Sequence, residues 1–150
     1  MKRILIFCAV LALILSGCGK DTGKSIDFQS FCADLLTGGA FTEELIPVDT
    51  ELGCAHYGID QADCKQAMFY LSSGATAEEL ALFEARDAEA LGRIKDAVNN
   101  RLRLQTDSFE SYLPSEVPKL EKAIVFTRGN YVILIVADDY DSASNVLHEY

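Results

Sequence analysis

The sequence predicts an α+β fold: a mostly antiparallel sheet packed by one long helix and two shorter helices. Three observations point to it. Apolar residues recur at helical spacing from Asp87 to about Leu113. Two β-rich runs, Ala123 to Thr127 and Tyr131 to Ala137, flank a Gly129-Asn130 turn signal. Shorter helical stripes stand near each end of residues 26–150, and no repeat, low-complexity tract or second-domain boundary interrupts that stretch.

The chain opens on a pattern of a different kind. Lys2 and Arg3 give a basic start, and Ile4 to Leu15 form an unbroken apolar run. Leu15-Ser16-Gly17-Cys18 follows, with small residues before the cysteine. This arrangement resembles the lipobox of bacterial lipoprotein precursors, in which the cysteine sulfur receives a diacylglyceryl group and the chain is cut before that cysteine. The physical requirements match. The basic end stays cytoplasmic, the apolar run falls short of the roughly 20 residues of a stable span, and Ser16 and Gly17 fit a peptidase cleft. The expected organisation is a signal peptide over residues 1–17, a lipidated Cys18 with a tether over residues 18–25, and one α+β domain over residues 26–150. The expected partner is the lipid bilayer, reached through acylated Cys18, on the extracytoplasmic face of the cell membrane. Two acyl chains suffice for stable attachment.

Within the tether, Gly23-Lys24-Ser25 looks like the end of a phosphate-binding loop. That motif needs a glycine where Cys18 stands, and no strand precedes it. The resemblance fails.

From Ile26 to Leu36 the positions of Phe28, Phe31, Cys32, Leu35 and Leu36 form one apolar helical stripe, with Ser25 or Asp27 as cap and Gly38-Gly39 as stop. Cys32 lies in that stripe as a buried thiol. Phe41 to Val48 reads as an extended segment ending near Pro47, and Leu52 to Ile59 as a loop or short strand around Gly53 and Gly58. Lys65 to Leu71 alternates as a strand does. Ser72 to Ala75 turns the chain. Thr76 to Asp87 supports two readings: Thr76 with Glu79 is a capping-box pattern, whereas Ala81, Phe83 and Ala85 alternate as in a strand buried on both faces. The long helix ends at Pro114. Tyr131 to Ala137 is nearly all apolar and β-branched, as an interior strand would be. Asp141 is placed to cap a final short helix carrying Ala143, Val146, Leu147 and Tyr150.

The second half is similar to a family of small Gram-positive bacterial lipoproteins catalogued only as a domain of unknown function. The residues that carry the similarity are Tyr70, Ser72 to Ala75, Ala77-Glu78-Glu79-Leu80, Arg101, Gln105, Phe109, Tyr112-Leu113-Pro114 and Gly129-Asn130-Tyr131-Val132, within residues 65–140. The resemblance implies a lipoprotein and a strand, not a helix, at Glu79 to Ala85. It assigns no catalytic residues.

Charge narrows the partners. The formal net charge is −10, and removal of Lys2 and Arg3 with the signal segment takes it to −12. Such a surface repels nucleic acid and anionic lipid. From Ser25 to Cys64 there are eight acids and no Lys or Arg, a pattern that reads as a solvated face.

Candidate chemistry centres on Cys54, His56 and Cys64. Thiolates and imidazole bind zinc or copper, but the spacing is not that of a zinc knuckle. The readings of Cys54 and Cys64 are a disulfide or free thiols. Hydrolase chemistry has only His56 and His148 as bases, and no Gly-x-Ser-x-Gly elbow occurs. Glu78-Glu79 and Asp138-Asp139 read as solvated charge, and Asp138, Asp139 and Asp141 lack the spacing of a calcium loop. The expectation is a non-enzymatic module without cofactor that binds an envelope protein or small ligand. The rival is an envelope hydrolase or metal/redox protein using Cys54, His56 and Cys64.

Overall fold

The computed structural model describes residues 25–150, so the expected signal peptide, Cys18 and nearly all of the expected tether lie outside the described residues. The elements are α1 (Phe28–Thr37), β1 (Ile46–Val48), α2 (Thr50–Tyr57), β2 (Cys64–Leu71), β3 (Glu79–Ala85), α3 (Ala88–Tyr112), α4 (Val117–Glu121), β4 (Ile124–Arg128), β5 (Tyr131–Val136) and α5 (Tyr140–Glu149). Single 3-10 turns cover Gln61–Asp63 and Pro114–Glu116.

The strands form one antiparallel sheet in the order β1-β2-β3-β5-β4. β3 is central, with Ala81 opposite Phe69 on one side and Leu134 on the other. Strand alternation then divides the core. Ala81, Phe83 and Ala85 of β3 join Val132, Leu134 and Val136 of β5 beneath the Ala90, Ile94 and Val98 stripe of α3. Leu80, Leu82, Ile133 and Ile135 point the other way, onto the α1 stripe of Phe28, Phe31 and Leu35 and onto Ala143 of α5. The sheet is therefore covered on both faces, with α2, α3 and α4 on one side and α1 and α5 on the other.

The α+β reading stands. At Thr76 to Asp87 the strand prevails over the helix, because Glu79–Ala85 finds hydrogen-bonding partners on both edges. Two short helices were not foreseen. α2 replaces the loop or strand read over Leu52 to Ile59. Asp49 caps it by accepting from Glu51 N at 2.9 Å, and Gly58 ends it at φ +66°. Only Gly53, Cys54 and Tyr57 of α2 are buried, which leaves almost no helical stripe for the sequence to display. α4 follows Pro114 in a second start after the long helix stops.

One cap and one turn also differ in detail. Asp139, not Asp141, caps α5, accepting from Ser142 N at 3.0 Å, and of the two turn residues between β4 and β5 only Gly129 has a positive φ, +56°. Six of the eight acids between Ser25 and Cys64 are exposed, as a solvated face requires, and Asp27, Asp49 and Asp60 among them cap helical turns.

Candidate functional site

The start of β3 places two carboxylates inside the protein. Glu78 and Glu79 are each 1% exposed, which overturns their reading as solvated charge. Burying a carboxylate is costly unless it is hydrogen-bonded and paired, and both are.

Glu79 is held by α2 and α3. It accepts from the Tyr57 hydroxyl, from Arg101 Nη2 at 2.9 Å and Nε at 3.4 Å, and from Gln105 Nε2 at 2.6 Å. Arg101 and Gln105 sit one helical turn apart on α3, so their side chains share a face. Arg101 also lies over the Tyr57 ring, 5.8 Å from its centroid. Burial and the neighbouring Glu79 charge push the Tyr57 hydroxyl well above its ordinary pKa, so it remains a donor. Gln105 Oε1 is buried with no hydrogen-bond partner among the described residues.

Glu78 ties together three other segments. It accepts from Thr42 N at 3.1 Å, Thr42 Oγ1 at 2.6 Å, Glu43 N at 3.0 Å and Lys119 Nζ at 3.1 Å. Lys119 also pairs with Glu116 and Asp138, each at 3.1 Å. Glu43 returns the connection by accepting from Ser73 N and Thr76 Oγ1, so it clamps the β2–β3 turn.

Burial alone would raise the Glu78 pKa, but the Thr42 and Glu43 hydrogen bonds and Lys119 outweigh it and hold the carboxyl below its ordinary value of 4.5. A carboxyl depressed in the folded state stabilises the protein above its unfolded pKa and loses that contribution as pH falls through the folded one. Urea unfolding is therefore expected to give a stability that declines from about pH 4.5 downward, with a shallower decline in Glu78→Gln. Equal acid slopes in the two proteins would remove Glu78 from the acid response.

Between these networks lies an open cleft of about 340 Å³. Glu78 and Glu79 line its inner end, α3 contributes Arg101, Leu104, Gln105, Ser108 and Phe109, and the β2–β3 turn contributes Ser72 to Gly74 with Thr76. His56 is an exposed residue of the lining. Most residues that carry the family resemblance between Ser72 and Phe109 meet in this one place.

The sequence-derived trio does not converge. Cys54 and Cys64 are free thiols close enough to influence each other, whereas His56, two residues along α2 from Cys54, faces the cleft. Burial pushes the Cys54 thiol up and Cys64 up to about 12, which leaves neither a ready thiolate near neutral pH. Cys32 is likewise raised by burial to about 12 within the α1 stripe. Among the described residues, no group of three or more His, Cys, Asp and Glu is placed to hold a metal ion. Asp139 serves as a cap, and His148 is an exposed residue of α5, the helix on the sheet face opposite the cleft helices, with Nδ1 2.6 Å from Ser144 O.

Sequence reasoning missed Arg101 and Gln105 as site residues and named them only among those that carry the family resemblance, although Gln105 falls on the helical period of the apolar stripe of α3. A signal was present: a glutamine on that stripe needs a buried polar partner.

The fold and cleft define an α+β protein with a mixed polar and apolar cleft at one end of its central strand. The chain belongs to the family described as Domain of unknown function (DUF4358), whose model matches residues 39–137. No curated protein and no solved structure matches it significantly.

Proposed function

We propose that this protein is a membrane-tethered extracytoplasmic lipoprotein whose folded part is a non-enzymatic binding module, with the cleft beside Glu79 as its ligand site. The observation that carries the binding site is Gln105, which lines the cleft beside Arg101 and keeps its Oε1 buried without a partner among the described residues. An acceptor left unpaired in this way costs stability, and a ligand donor recovers that cost. The non-enzymatic reading draws support from Glu79 itself. Three side chains already donate to it, so its carboxylate is engaged and fixed in place within the fold.

Tethering rests on the lipobox-like segment ending at Cys18. No helix among the described residues is long and apolar enough to cross a membrane, so attachment falls to that segment. In a bacterial host with native-like lipoprotein processing, the chain is expected to fractionate with membranes and carry a diacylglyceryl group on Cys18. Cys18→Ala should lose both the lipid mass and the membrane fraction. Mature wild-type chain with an unmodified Cys18 would overturn the tether.

A further inference from the structure

We propose that the cleft takes a neutral saccharide unit. The inference rests on the cleft being the ligand site and follows from which of its polar atoms are already engaged.

Anions are poorly served. Among the described residues, Arg101 is the only Lys or Arg in the lining, and it is bonded to Glu79. The chain also carries a net charge of −10, which repels a negative ligand before it arrives. Cations fare no better. Glu79 accepts from Tyr57, Arg101 and Gln105, and Glu78 from Thr42, Glu43 and Lys119, so neither offers an unengaged carboxylate. A wholly apolar ligand would bring no donor to Gln105 Oε1.

The remaining chemistry is neutral, able to donate and accept at neighbouring atoms, and partly apolar. Gln105 Oε1 calls for a donor, and the Ser108 and Ser73 hydroxyls take either role. Leu104 and Phe109, on the same helix, supply apolar surface. A sugar ring has this make-up: hydroxyls that both donate and accept around its edge, and C–H groups on its faces. A peptide strand is less well matched, because the strand ends bordering the cleft are already paired, Leu71 with Ile46 and with Glu79. The volume agrees. About 340 Å³ lies near the lower end of the roughly 300–1,000 Å³ usual for ligand sites, room for one or two rings.

The test is calorimetry on the full chain in a non-glycosidic detergent. The probes are a panel of neutral hexoses, N-acetylhexosamines and their disaccharides, with a uronic acid and an N-acetyl dipeptide amide as controls. The variant is Ser108→Trp, which fills the cleft from an exposed helix position outside the Glu79 network, its melting temperature confirming the fold. Expected are binding of at least one neutral saccharide, weaker binding of the uronic acid, and a loss of about tenfold or more in Ser108→Trp. Dipeptide binding that Ser108→Trp abolishes, without saccharide binding, would overturn the saccharide and keep the cleft as a binding site. Saccharide binding that Ser108→Trp leaves intact would place the sugar elsewhere and overturn both readings. No binding by any probe would overturn the saccharide inference.

Discussion

Replacing Glu79 with leucine is expected to cost about 3–5 kcal/mol of folding stability, the range for removing one partner of a buried pair. The side chains are similar in size, so the loss comes from what is left behind. The Tyr57 hydroxyl, on a residue only 4% exposed, loses its acceptor. The Arg101 guanidinium, with its side chain 20% exposed, loses its counter-charge, and the Gln105 amide nitrogen loses its bond as well. Glu79→Gln keeps one acceptor oxygen and the shape, and should cost less. Pairing Glu79→Leu with Arg101→Met removes the stranded cation, so the double variant should recover part of the loss. Denaturant titration of the four proteins reads each value. A Glu79→Leu loss under about 1 kcal/mol would mean that the network contributes little and that water replaces its bonds.

This network also marks where the sequence was hard to read. Elements with a full apolar period, α1, α3, β4 and β5, were legible, since burial of one stripe or of both strand faces leaves its pattern in the residues. β3 was ambiguous for a physical reason. It is buried on both faces like β5 but lacks that strand's β-branched residues, and its first residue, Glu79, matched a helix cap pattern with Thr76. Burial of Glu78 and Glu79 was not visible, because a carboxylate goes inside only when partners are supplied, and these come from residues as distant as Thr42, Arg101 and Lys119. Cys54 and Cys64, read as a disulfide or free thiols, lie close together as free cysteines. His56 was not their companion, since a step of two along α2 turns it toward the opposite side of the helix.

α2 escaped notice largely through Gly53, and Gly53→Ala tests why that residue is there. Taken as a helix position alone, the substitution should stabilise by up to about 1 kcal/mol, the difference in helix propensity. Packing argues the other way. A Cβ on residue 53 would sit 2.1 Å from Cδ2 of the Phe69 ring and 2.4 Å from Cγ, far inside van der Waals contact. The ring has little room to retreat. Phe69 is 2% exposed and packs against Tyr57 and Phe83, with centroids at 5.7 and 5.2 Å. Overpacking of this kind costs about 1–3 kcal/mol and at this distance belongs at the upper end, so packing outweighs propensity. Net destabilisation of about 2 kcal/mol is expected in denaturant unfolding. The companion variant Phe69→Leu opens a cavity and should also destabilise, yet adding Gly53→Ala to it should cost far less than in the wild-type chain. Because Tyr57 both packs on Phe69 and donates to Glu79, a displaced α2 should disturb the cleft as well. A Gly53→Ala protein as stable as the wild type, or a pair of variants whose losses simply add, would show that α2 does not need this close approach to β2.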